Sequence, residues 1–232
     1  MTLDNYRTQL QSQHLTYSQC LQDAFALSVN KYKFGGICVD VGCSTPTQMY
    51  SNSKLLQLYK WKCIGADIGN LEGNWNNYPY FKYLNADCTK QESIDLIFSE
   101  AGNNIDFLSL DIDDYTVNAL RLIDFNKVQT KCICIEHNKY LGARGEQRHE
   151  QREILKNAGY TLLVKNFHGG GLEDWWINTK LVNYDDFKHF SLYSEKKFEV
   201  TTNLEEILPN HQNNINRDKP NFDIQTLQNL TK

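Results

Sequence analysis

Apolar residues fall in short dense runs between residues 36 and 180, and the runs alternate between two periods. Ile37-Cys38-Val39 with Val41, Cys63-Ile64 with Ala66, Tyr80–Ala86, Ile105–Leu110 and Lys131–Ile135 each read as a strand. The most continuous of them suit a sheet covered on both faces. Between them lie apolar sets in polar surroundings: Leu55, Leu56 and Leu58; Ile94, Ile97 and Phe98, spaced three and four apart; and Val117, Leu120 and Leu122. These predict helices from near Ser51-Asn52-Ser53 to near Trp61, over Gln91–Ala101 and over Tyr115–Ile123. Strands alternating with helices imply an α/β chain with a doubly wound, Rossmann-like, mostly parallel sheet. Arg144–Ala158 predicts a charged helix anchored by Ile154 and Leu155, with Gly159 closing it. Tyr160–Val164 and Trp175–Ile177 then complete seven strands as an antiparallel hairpin. The loop between them, Asn166–Asp174, carries glycines 169 to 171, which permit mobility or close approach to a ligand.

The flanks are less regular. Leu10, Tyr17, Leu21, Phe25 and Val29 predict a helical lead-in over residues 3–33, ended by Gly35-Gly36. Residues 68–80 form a loop rich in Gly, Asn and aromatics; it is either plain surface or offers Trp75 or Tyr78 for stacking on a base or acceptor. Beyond Lys180 the pattern decays. Phe187, Phe190, Leu192 and Tyr193 are expected to pack back on the domain, and 209–232, with Pro209 and Pro220, to form a loosely ordered tail. Three parts follow: a lead-in (1–35), a catalytic domain (36–182) and a polar extension (183–232).

The length, 232 residues with 41% hydrophobic, suits one large domain with a substantial core. The formal net charge of −4 implies no broad basic surface, so no nucleic-acid partner is expected. The seven cysteines are odd in number, and Cys38, Cys63, Cys132 and Cys134 lie inside strand-like runs. They read as reduced core residues, which places the chain in the cytoplasm and makes the sequon at Asn229 incidental. No apolar run approaches the ~18 residues of a membrane span. The polar start, MTLDNYRTQLQSQ, lacks a signal-peptide core.

The candidate chemistry sits at strand ends. Asp40 with Gly42, Asp67, Asp87, Asp111-Ile112-Asp113-Asp114 and Glu136-His137-Asn138 each follow or close a predicted strand. Open parallel sheets bind ligands at that edge. Gly42 lets a ligand approach the backbone, and Asp67 stands at about the spacing of a ribose-binding acid. Acids on both sides tolerate a neutral or cationic nucleoside and disfavour a pyrophosphate. The turn, DVGCSTP, is not the dinucleotide fingerprint G-x-G-x-x-G. Asp87 or Thr89 also stands where it would cap the helix Gln91–Ala101.

The turn resembles motif I of the class I S-adenosylmethionine-dependent methyltransferases, D/E-x-G-x-G-x-G, with Ser44 and Pro46 in place of the second and third glycines. VDVGCSTPTQMYSNS, WKCIGADI, IDFLSLDID, CICIEHN and NAGYTLLV with DWWIN resemble the FkbM-type branch over residues 36–180. In that branch an acid plus glycine commonly follows the fourth strand; here Asp113-Asp114 stands there. The resemblance implies the class I methyltransferase fold, S-adenosylmethionine as cofactor, and methyl transfer to an oxygen of a small-molecule or glycan acceptor. It implies that Asp87 accepts from the adenine amino group and that the N-terminal helix covers the cofactor or shapes the acceptor pocket. The implied cofactor set is Asp40, Gly42, Ser44, Asn52 and Asp67, continuing with Ile68, Asp87, Cys88 and Asp111.

A hydroxyl acceptor is a poor nucleophile and needs help losing its proton. Three readings of the acids stay open. Asp111, Glu136, Asp113 and Asn138 hold Mg²⁺, whose preferred donors are hard oxygens. Alternatively His137 is the general base, oriented by carboxylates such as Asp111 and Glu136. Or the acids merely cap loops and pair with Arg144 or Arg148. His168 is a weaker candidate base, and Asp174 a candidate to face the site. At the level of function, an inactive binding scaffold and an NAD-dependent sugar-modifying enzyme are the alternatives.

Overall fold

The computed structural model describes residues 16–46, 50–167 and 171–195, apart from the side chains of residues 143 and 144. Expectations for Leu10, His168, Gly169, Gly170, the Arg144 side chain, Pro209, Pro220 and Asn229 lie outside that description.

Seven strands form one sheet: β1 (Ile37–Val41), β2 (Lys62–Asp67), β3 (Phe81–Asn85), β4 (Asn104–Leu110), β5 (Gln129–Glu136), β6 (Thr161–Phe167) and β7 (Glu173–Ile177). Their spatial order is β3-β2-β1-β4-β5-β7-β6. The first five run parallel; β7 inserts antiparallel between β5 and β6. This is the class I methyltransferase fold. The order reverses at β1, so the turn after Val41 and the ends of β2 and β4 share one edge.

The six α-helices among the described residues are α1 (Gln22–Val29), α2 (Lys54–Leu58), α3 (Glu72–Trp75), α4 (Gln91–Ala101), α5 (Thr116–Leu122) and α6 (Gln147–Asn157). Strand periodicity divides the core between the two sheet faces. Val39, Val41, Ile64, Ala66, Leu108, Leu110, Ile133 and Ile135 pack with Ile94, Ile97, Leu120 and Leu155 of α4, α5 and α6. The opposite face carries Cys38, Cys63, Phe107, Cys132 and Cys134, and packs with Phe25 of α1, Leu55 and Leu56 of α2, Trp61 and Trp175. Thiols are small, and this side accommodates the largest aromatics: Phe25 stacks on Trp175 with centroids 4.6 Å apart. All seven cysteines are buried and free.

Several expectations need correction. In the described part the lead-in is helical only over Gln22–Val29. Leu21 has φ 63°, and Asp23 gathers Tyr17 N–H and the hydroxyls of Thr16 and Ser18 into a turn. The loop after β2 contains α3 and is not plain surface. Trp75 and Tyr78 are buried, with Trp75 stacked on Phe81, so neither ring is offered for stacking on a ligand. Leu192 is 64% exposed, whereas Phe187 and Phe190 pack on the core as expected. Among the described residues, no helix is long and apolar enough to cross a membrane.

Candidate active site

A cleft of about 530 Å³ opens at the edge where the strand order reverses, within the size range of small-ligand sites. Seven expected cofactor residues line it: Gly42, Ser44, Asp67, Ile68, Asp87, Cys88 and Asp111. Asp113, Asp114 and Tyr115 complete the wall beyond β4. Five aspartates therefore face the cleft, and among the described residues no lysine or arginine lines it.

The floor is the turn after β1. Gly42 has φ +87°, and a Cβ there would lie 1.7 Å from the carbonyl oxygen of Asp111. Only glycine lets the turn rest against the end of β4. Gly42 N–H donates to Ala66 O (2.8 Å), joining the turn to β2. Ser44 N–H donates to Asp67 Oδ2 (3.0 Å), and Trp75 Nε1 donates to Ser44 O (2.9 Å). Asp87 accepts from the N–H and hydroxyl of Thr89, which hold its carboxyl below the usual range. It does not cap α4, whose N-cap is Lys90, without a side-chain bond.

Two expected cofactor residues lie elsewhere. Asp40 is two residues beyond Cys38 and so projects from the cysteine-bearing face, between Gly65 and Ser109 in register. It is 1% exposed. Among the described residues neither of its carboxyl oxygens has a hydrogen-bond partner. Burial pushes it up to about 7; Ser53 and Ser109 pull against this, and the charge of Asp111 adds to it. Asn52 is buried, and its amide donates to Ser109 Oγ (2.9 Å) behind the cleft wall.

The acids of β4 and β5 do meet. The register pairs Ser109 with Cys134, so Asp111 and Glu136, each two residues on, are neighbours. Burial raises both carboxyls, and the charge of Asp111 raises Glu136 further. Glu136 Oε2 is buried with no hydrogen-bond partner among the described residues. A third acid that the sequence reading missed stands beside them: Glu173 of β7 pairs in register with Glu136. Burial pushes Glu173 up to about 8, against the opposing donors Trp175 Nε1 and Gln22 Nε2. Its only sequence signal was its place beside Asp174 before a strand.

Of the expected metal set, Asp111 and Glu136 are neighbours while Asp113 is exposed, with φ +52°; among the described residues no three His, Cys, Asp or Glu side chains group to hold an ion. Asn138 is buried, and its N–H donates to Leu172 O. The base role drawn for His137 needs correction. His137 is fully buried, and its ring is engaged on both sides. Nδ1 accepts from Lys139 N–H (3.2 Å), which leaves the ring proton on Nε2, 3.2 Å from Asp174 Oδ1. Neither nitrogen is left for an acceptor. Asp174 faces inward, where Arg152 Nε and Nη2 grip it at 2.7 and 2.9 Å. Burial would raise Asp174, but His137 and Arg152 outweigh it and hold the carboxyl low. The acids Asp111 and Glu136 are not paired with Arg148, which bonds Gly145 O and Glu146.

A family model described as the methyltransferase FkbM domain matches residues 36–162. No curated protein matches the chain. Among solved structures, the chain is similar to MycE methyltransferase from the mycinamycin biosynthetic pathway, in complex with Mg and SAH. Identity is 13%, coverage 66% of this chain and 48% of that one, and TM-score 0.46. The chain thus spans about half the length of that protein. It is also similar to the CurJ carbon methyltransferase, at 11% identity over 74% of this chain and 58% of that one, with TM-score 0.44. A SAM-dependent methyltransferase from Anabaena variabilis ATCC 29413 aligns at 15% identity over 76% of this chain and 94% of that one, with TM-score 0.37.

Proposed function

The chain belongs to the FkbM methyltransferase domain family, a branch of the class I methyltransferases, and from that premise we propose that it transfers the methyl group of S-adenosylmethionine to a hydroxyl oxygen of a sugar or similar polyol. The observation that carries this reading is the pair of enclosed, adjacent acids Asp111 and Glu136 beside the Gly42 turn.

The cleft fits the cofactor on its own chemistry. The Gly42 turn leaves no room for a side chain, and a wall of aspartates with no lysine or arginine among the described residues suits a sulfonium and an ammonium group. The same wall disfavours the pyrophosphate of a dinucleotide. Asp67 would hold the ribose hydroxyls and Asp87 the adenine amino group, since ionised carboxylates only accept. When bound, the cofactor supplies an electrophilic methyl on a positively charged sulfur, with a neutral thioether as leaving group.

The chain's own contribution is alignment and proton acceptance. Fixing both reactants against one rigid sheet edge is worth roughly 7–11 kcal/mol of barrier. In this reading the adjacent Asp111 and Glu136 carry a single negative charge between them. Its ionised oxygen accepts the hydroxyl proton as the oxygen takes up the methyl, a contribution of about 10²–10⁴ in rate. The proton passes to carboxylate, because Asp111 and Glu136 are the two acids that the register of β4 and β5 brings side by side.

The test is turnover with sugar and polyol acceptors, with S-adenosylhomocysteine binding measured in parallel. Asp111→Asn and Glu136→Gln are expected to lower kcat about 10²–10⁴-fold, and EDTA to leave the wild-type rate unchanged. Full turnover by either variant overturns the base assignment. Absence of S-adenosylhomocysteine binding favours the scaffold alternative, and NAD(H) binding the dehydrogenase-like one.

A further inference from the structure

Resting on the methyltransferase reading above, we propose that Trp75 is a positioning residue for the cofactor: its indole N–H holds the Ser44 carbonyl and keeps the cleft-floor turn in a shape that glycine otherwise supplies. Ser44 has φ +46°. That region is costly for a residue with a Cβ and natural for glycine. It is also the position where the motif I pattern carries its second glycine, so the replacement has left a backbone shape that serine does not adopt by preference.

Two bonds fix that shape from opposite sides. Ser44 N–H donates to Asp67 Oδ2 at 3.0 Å, and Ser44 C=O accepts from Trp75 Nε1 at 2.9 Å. Ser44 and Asp67 both line the cleft, so the pair of bonds sets one wall of it. The indole does not depend on the turn for its own placement. It lies 2% exposed, stacked on Phe81 with centroids 3.5 Å apart and planes 8° from parallel. Its edge meets Tyr78 at 5.3 Å, and Cys43 joins the same small cluster beneath the turn. An indole N–H only donates, and when buried it needs an acceptor. Here that acceptor is the strained peptide. Trp75 is also the sole buried residue of α3, which identifies the presentation of this ring as what the short helix does.

Trp75→Phe keeps the stacked ring and removes the donor. Calorimetric titration with S-adenosylhomocysteine is expected to show about three- to tenfold weaker binding. KM for S-adenosylmethionine should rise by the same factor, while kcat moves by less than about twofold, as for lost uniform binding. Adding Ser44→Gly to Trp75→Phe should restore binding, because glycine takes the positive φ without the latch. Ser44→Val, with Trp75 intact, should weaken binding, since a branched side chain resists that φ. Trp75→Phe binding like wild type, a double variant no better than Trp75→Phe, or Ser44→Val binding like wild type would each overturn the proposal. Wild-type protein that does not bind S-adenosylhomocysteine sinks the cofactor reading itself, a separate and visible result.

Discussion

Asp40 shows what burial does to one carboxyl. It is buried with no hydrogen-bond partner on either carboxyl oxygen among the described residues, and burial lifts it from the ordinary aspartate range to about 7 despite the nearby hydroxyls of Ser53 and Ser109. A carboxyl whose folded value lies above its unfolded one binds its proton more tightly when folded. The proton is fully retained below about pH 4, and the associated stability is lost as the pH climbs through 7. Ionising the group in place costs on the order of 4 kcal/mol. Asp40→Asn is therefore expected to flatten the fall in melting temperature between about pH 4 and 7, and calorimetric scans of both proteins across that range check it. Parallel curves would show that Asp40 does not set the slope. His137 teaches the complementary lesson: a histidine at a strand end looked available, but its ring is locked between Lys139 N–H and Asp174.

Among the elements, one buried ion pair ties the β6–β7 hairpin to α6. Arg152 of α6 grips Asp174 of β7 through Nε and Nη2, and Nη2 also reaches Asn166 at the end of β6. Asn166 N–H returns to Asp174 Oδ1 at 2.8 Å. Asp174→Asn leaves a buried guanidinium without its counter-charge, and a loss of roughly 3–5 kcal/mol is expected by urea unfolding. A loss under about 1 kcal/mol would place the hairpin's anchorage elsewhere. Most elements could be read from the sequence, because buried strands are short apolar runs and their acids mark the ends. The helix Gln91–Ala101 has the bounds its periodicity predicted. α3 could not be read: four residues including Gly73 offer no period, and the reason for the turn lies in Ser44, far back in the chain. The lead-in helix was overextended because the hydroxyls that gather on Asp23 break a pattern that hydrophobic spacing alone continues.

At the scale of the molecule, the sheet edge was legible and its depth was not. The sequence places acids at the strand ends, but which face each projects from depends on register. Asp40 and Asn52 turned behind the cleft, and Glu173 arrived beside Glu136 only through the antiparallel insertion of β7. Register also put four strand cysteines on one face, where the thiol layer meets the aromatic side of the core. Burial raises Cys38, Cys132 and Cys134 well above the usual thiol range, so the reactive thiolate form is suppressed. The chain thus carries its own silent reporters. A colourless thiol reagent that turns yellow on reaction should reach the four strand thiols only as the whole domain opens, making the slow phase of colour a stopwatch for global unfolding.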